Sequence, residues 1–297
     1  MSRLTPAESA RQSDKQSSQG RAKRRNLYCD RFSSTLVWLR SVIRCLPLFF
    51  SERPKTPLRI LGIMTFDALH MLRRLKPLPV AKRSVLAALL DFGGCTNAML
   101  DNKDYCRKEI QRTRQILDKA GMNLFVEEFQ RRLWDLERRR PRPLEVDWQF
   151  HTVRTYREAV IRLLLGTIAT TAIGNHCIDE GIRATYDDDD LKILFRIVMQ
   201  FQVIDDVLDY SKDMSAGLPS FLTASMTLPE AVNLTHQASR GYAQNRDLSR
   251  YSGDFPLRAA LLLGSACAGL MIQVCRWKLA AFNLSTSARH GSSRTTC

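Results

Sequence analysis

Strand-like alternation of apolar and polar residues never persists in this chain, and that limits what it can fold into. Its apolar residues recur every three to four positions, in long runs closed by proline and glycine, which is the pattern of helices that each bury one face. Pro54 and Pro57 precede a predicted helix from about Leu58 to Leu75, and Pro77 and Pro79 end it. From Val80 to Ala120 the pattern runs almost unbroken through Gly93 and Gly94, until Gly121. Further helices are expected over Leu124–Arg139, stopped by Pro141 and Pro143, and over His151–Gly174, Leu228–Asn245 and Pro256–Phe282. The expectation is an all-α chain.

With 297 residues, 44% of them hydrophobic, such a chain can bury one large core, so a single all-α domain is expected over 27–284. Residues 1–26, rich in Ser, Gln, Lys and Arg, cannot bury enough to order themselves and read as a disordered basic tail; 285–297 read as a second tail. Leu27 to Phe50 has the makings of an amphipathic helix, with Val37, Leu39, Val42, Ile43 and Leu46 against Arg40 and Arg44. It either packs on the body or lies on a bilayer surface, and packing is preferred. Gly166, Thr167, Ala169, Thr170, Thr171 and Ala172 give the His151–Gly174 helix a small-residue surface that lets a neighbouring helix or a ligand come close.

The net charge of +15 would point to nucleic acid if it were gathered into one patch. It is divided between residues 1–25, with seven Arg/Lys against two acids, and a second knot of Arg131, Arg132, Arg138, Arg139, Arg140 and Arg142. No nucleic-acid-binding signature accompanies either, so a nucleic-acid partner is not expected. Eight cysteines without a CxxC pair, among them Cys267 and Cys275 in apolar helix, read as reduced core residues of a cytoplasmic protein. The apolar stretch from Leu36 to Phe50 starts too late for a signal peptide and is interrupted by Arg40 and Arg44. Ala259 to Val274 is short for a membrane span and reads as a buried core helix. Membrane association at the surface is kept as an option, as is a homodimer.

Against this background stands Gln200–Glu230. On a continuous helix Asp205, Asp209 and Asp213 form one row, with Gln202 a turn below and Asp206 turned about 100° away. Three stacked carboxylates on an apolar helix repel one another unless a cation sits over them. Mg²⁺ suits the pattern, because it takes one or two protein carboxylates and completes its shell with water and phosphate oxygens. Asp187–Asp190, by contrast, stand just before Leu191, where negative charge caps a helix, roughly 22 Å from Asp205 at 1.5 Å per residue.

The run FQVIDDVLDYSKD from Phe201 to Asp213, then Gly217 and Pro219, then MTLPEA from Met226, resembles the second aspartate-rich motif of the trans-prenyl diphosphate synthases, FQxxDDxxD with its turn and T-L-P. About a hundred residues upstream, Asn97, Asp101, Asp104 and Lys108 are spaced to share one helix face. The pentad Leu100–Asp104, followed by Arg107 and Lys108, is similar to the family's first motif, DDxxD with basic residues after it, but Leu100 replaces the leading aspartate. The chain is accordingly identified as a divergent member of the class I isoprenoid superfamily, which implies a terpene synthase-like helical bundle around a central cavity.

The resemblance implies Mg²⁺ held by Asp205, Asp206, Asp209, Asp101 and Asp104, with Arg107, Lys108, Gln202, Asn97 and Phe201 around a prenyl diphosphate, and Phe92, Phe201 and Tyr156 as aromatic walls for a carbocation. Three cationic features of the family are altered. Lys55 and Arg59 only echo its Gly-Lys-Arg segment, Leu164-Leu165-Gly166-Thr167 stands where it has Lys-Thr, and Leu218 replaces the lysine of its Gly-Lys-Pro turn. Losing cations while keeping aspartates fits a terpene synthase that ionises one diphosphate. The alternatives are a trans-prenyltransferase and a non-catalytic partner subunit.

Overall fold

Among the described residues every regular element is an α-helix, as the periodicity requires. The computed structural model describes residues 35–44, 57–74, 76–100, 107–141, 150–173, 177–244 and 255–291. Within them lie α1 (35–44), α2 (Pro57–Arg74), α3 (Val80–Leu100), α4 (Arg107–Lys119), α5 (Asn123–Arg138) and α6 (Phe150–Ile173). They are followed by α7 (Ile178–Asp187), α8 (Asp189–Leu208), α9 (Tyr210–Ala216), α10 (Leu228–Ala243) and α11 (Phe255–Gly291). The N-terminal tail lies outside the described residues. The tail expected from Ser285 is helical as far as Gly291, since no glycine or proline interrupts α11 between Gly269 and that point.

The chain forms two compact units, Met1–Pro77 with Asp254–Pro256, and Leu78–Gly253 with Leu257–Cys297. The first unit ends at Pro77, at the Pro77–Pro79 break that the sequence places after the second helix. In the first unit, α1 and α2 are clasped by polar groups. Ser41 Oγ donates to Asp67 Oδ2 at 2.8 Å and Arg44 Nη2 to Asp67 Oδ1 at 3.3 Å, with Asp67 fully buried. This satisfied anchor holds α1, while Leu36, Leu39 and Ile43 face outward.

In the second unit α6 is the helix on which others converge, packing against α3, α5, α7 and α8. Ala88, Leu89 and Phe92 of α3, Leu117 of α4, Val126, Phe129 and Leu133 of α5, and Leu163 of α6 form one core cluster. Here α4 packs back on α3, so Val80–Ala120 is two helices and not one. Asn97 and Lys108 therefore do not share a helix face as the spacing suggested. Leu117 meets the Leu89–Phe92 region, which is possible only if the chain folds back between them.

The small-residue surface of α6 does what such a surface allows: α7 lies against it, backbone to backbone. A Cβ on Gly181 would lie 2.1 Å from Thr170 Oγ1 and 2.2 Å from the Gly166 carbonyl oxygen, and one on Gly166 would lie 2.6 Å from the Ile182 nitrogen. Helix α7 was not anticipated, being only 10 residues long with a glycine inside. We expect Gly181→Ala to cost about 3 kcal/mol, read from the urea midpoint, because backbone cannot move aside as a side chain can. Adding Thr170→Ala should recover only part of that loss, since the Gly166 carbonyl remains in the way.

Arg162 of α6 lies between the rings of Tyr186 and Phe195, 3.8 and 3.7 Å from their centroids, and donates to the Thr185 carbonyl, tying α6, α7 and α8 together. Asp188 caps α8, accepting from the amides of Asp190 and Leu191 at 3.1 Å each, as expected for the aspartate run. Gln200 of α8 is fully buried and satisfied: it donates to the Ser239 carbonyl and Ser265 Oγ and accepts from Ser239 Oγ, joining α8, α10 and α11. Helix α11 is not the buried core helix expected. Leu257, Leu261, Ala268 and Ile272 are buried, but Leu262, Leu263, Leu270 and Trp277 are exposed. Cys267 is exposed with them, so it is not a core cysteine.

Candidate active site

The acidic stretch occupies the last turn of α8 and continues into α9. At Asp209 (φ −93°, ψ 9°) the helix is interrupted before resuming at Tyr210, and Gly217 (φ 63°) caps α9 in the left-handed conformation that favours glycine. The row of Asp205, Asp209 and Asp213 is consequently not uniform: Asp205 is exposed, Asp209 half-buried and Asp213 buried.

Asp206 is the residue most deeply committed to the fold. It is 1% exposed, and its Oδ2 accepts the Phe221 amide at 2.7 Å. Its Oδ1 accepts from Gln202 Nε2 at 2.6 Å and Arg157 Nη2 at 3.2 Å. Burial pushes its carboxyl above the usual aspartate range, against the opposing pull of Arg157, the Phe221 amide and Gln202. Asp206 thus fastens α8 to α6 and to the buried segment Ser220–Ala224, and Gln202 is occupied in the same task. Arg157 is a partner the sequence did not single out. Its position four residues before Ile161 on an apolar helix was the available signal.

Asp205 and Asp209 are differently placed, one turn apart and accessible. Asp209 Oδ1 is 2.7 Å from Lys212 Nζ, and that contact, above all, raises the ammonium pKa. Lys212 is 77% exposed, so the ion pair is screened by solvent and weak enough to yield to a competing cation. Asp101 and Asp104 lie outside the described residues. Arg107 and Lys108 open α4 and are exposed, as are Asn97 on α3 and Phe201 on α8. Phe92 is buried edge-on against Phe129, with ring centroids 6.5 Å apart, which makes it core packing.

A cleft of ≈ 410 Å³ gathers three helix ends: Leu100 from α3, Trp134, Glu137, Arg138 and Arg140 from α5 and the turn after it, and Gly217 from α9. Leu100 is the residue before Asp101, and Gly217 closes the segment that begins with Asp205. Behind this wall Glu137 accepts from Arg140 at 3.3 Å and from the Tyr156 hydroxyl at 2.5 Å. Burial first, and Glu137 second, hold the Tyr156 phenol well above its ordinary range. Sequence reasoning passed over Trp134, Glu137, Arg138 and Arg140. The arginine knot around Pro141 is the signal, which the sequence reads only for its bearing on nucleic acid. Arg131 and Arg132 of that knot are spent on Glu128, and Arg132 also on Asp179.

Among the described residues no group of three or more His, Cys, Asp or Glu side chains is arranged to hold a metal. Asp205 and Asp209 remain as two accessible carboxylates one turn apart, the number of protein carboxylates that Mg²⁺ commonly takes. No protein family, curated protein or solved structure matches this chain.

Proposed function

We propose that the chain is a Mg²⁺-dependent class I isoprenoid enzyme, a terpene synthase that ionises an allylic prenyl diphosphate and releases diphosphate with cyclisation or elimination. The observation that carries this reading is the cleft: it unites the end of α3, immediately before Asp101, with two arginines and with the turn that closes the acidic segment. Asp205 and Asp209 would hold the metal from one side and Asp101 and Asp104 from the other. Bound Mg²⁺ would neutralise the charge that builds on the departing diphosphate. Arg138 and Arg140, with Arg107 and Lys108, supply positive charge for the diphosphate oxygens. Asp206 keeps the acidic segment in place through Arg157 and Phe221. Trp134 offers an aromatic face at the cleft on which a carbocation is stabilised.

The Lys212–Asp209 contact favours a second reading, a partner subunit that keeps the fold without turning over. A trans-prenyltransferase is the third. Incubation with geranyl, farnesyl and geranylgeranyl diphosphates and Mg²⁺, with and without isopentenyl diphosphate, separates them by gas chromatography and mass spectrometry. The expected result is a hydrocarbon or alcohol from one prenyl diphosphate, indifferent to isopentenyl diphosphate. A longer prenyl diphosphate formed only with both substrates overturns this in favour of the transferase, and no product from folded protein overturns it in favour of the partner subunit.

A further inference from the structure

Helix α11 has two apolar sides, and the second unit covers only one of them. Pro256–Leu279 is long and apolar enough to cross a membrane, yet only 28% of its most apolar window is buried. The inward stripe, Leu257, Leu261, Ala268 and Ile272, is locked in place by polar bonds, Ser265 to the buried Gln200 and Arg276 Nη2 to Asn233 Oδ1 at 2.7 Å. The outward stripe carries Leu262 at 71% exposure, Leu263 at 68%, Leu270 at 61% and Trp277 at 63%. Ala259, Ala266 and Cys267 lie exposed among them, giving a ribbon about 27 Å long at 1.5 Å per residue.

Charge selects the occupant. From Phe255 to Cys297 there are five cations, Arg258, Arg276, Lys278, Arg289 and Arg294, and no acidic residue. Exposed Lys278 stands beside Trp277 at one end of the ribbon, while Arg258 and Arg276 flank the inward stripe. An apolar strip ending in a lysine and a tryptophan, on a helix without acids, matches the boundary between acyl chains and anionic headgroups, where cations meet phosphates and indole prefers to sit. A second copy of this chain would bring the same cations against these, with no acid on the ribbon to balance them.

We propose that the outward face of α11 docks the protein on an anionic lipid bilayer, with the helix lying in the plane of the interface. It does not span the bilayer, because crossing would strip Ser265 and Arg276 from Gln200 and Asn233 and leave polar groups unpaired in hydrocarbon. This stands independently of the catalytic reading, since none of the residues named lines the cleft. The test is sedimentation of the full chain with vesicles of phosphatidylcholine containing phosphatidylglycerol, or of phosphatidylcholine alone, alongside light scattering in solution. Binding to anionic vesicles is expected, at least tenfold weaker in Leu263→Glu/Leu270→Glu, with unchanged helicity and melting because both positions are exposed. A blue-shifted tryptophan emission on binding, lost in Trp277→Phe, places the interface on this face. Failure to bind, equal binding by the double variant, or a dimer that the variant dissociates while vesicle binding persists, each overturns the proposal.

Discussion

Asp206→Ala should lower unfolding stability by about 3–5 kcal/mol, the usual consequence of removing one partner from a buried ion pair. Three donors lose their acceptor at once: Arg157, Gln202 and the amide of Phe221, the last inside a segment whose Ser220, Phe221 and Ala224 are at most 1% exposed. Asp206→Asn should lose less, since the amide oxygen still accepts from Phe221, although the NH2 group in place of Oδ1 can no longer accept from Arg157 or Gln202. The pH dependence follows from the raised carboxyl pKa. Between the unfolded aspartate value and the higher folded one the native state binds more protons, so this residue's contribution is complete below the unfolded pKa and is lost as pH rises through the folded pKa. Denaturant midpoints measured upward from the ordinary aspartate range should therefore fall more in the wild type than in Asp206→Asn. A neutral effect of Asp206→Ala would show that the Arg157 link is not structural. A double-mutant cycle with Arg157→Leu would then show no coupling.

Asp205→Asn and Asp209→Asn should each reduce turnover about 100-fold or more, the scale seen when a group that stabilises developing charge is removed, and chelation of Mg²⁺ should abolish it. The control is Asp188→Asn. Asp188 caps α8 at its other end, about 26 Å from Asp205 and about 32 Å from Asp209 at 1.5 Å per residue, where an asparagine oxygen still accepts the two amides. Its turnover should match the wild type, with stability changed by a few tenths of a kcal/mol at most. Equal damage from Asp188→Asn would assign the chemistry to the wrong end of the helix. Intact turnover in both Asp205→Asn and Asp209→Asn would remove the accessible pair from the mechanism altogether.

Helix ends were legible from residue type, because they depend on chemistry local to the chain. Proline opens α2, Asp188 caps α8 through its own side chain, and Gly121 and Gly217 take positive φ at 72° and 63°. The motif in Phe201–Asp213 could be read as a set of carboxylates, but not which of them is accessible. Asp205 and Asp206 are adjacent, identical and about 100° apart on the helix, so only the approach of Arg157 and Phe221 decides that one is buried and the other exposed. The same holds for α11. Its apolar residues run all round, and periodicity without a neighbour does not say which face is covered; Gln200 and Asn233, from α8 and α10, make that choice. The reversal between α3 and α4 escaped for the opposite reason: no glycine or proline marks the stretch between them, and only the packing of Leu117 against Leu89 and Phe92 reveals it. Local sequence determined most helix ends and the chemical groups each helix carries, since propensity and capping act within a few residues. Tertiary packing decided which groups are structural and which stay accessible, since burial depends on neighbours tens of residues away.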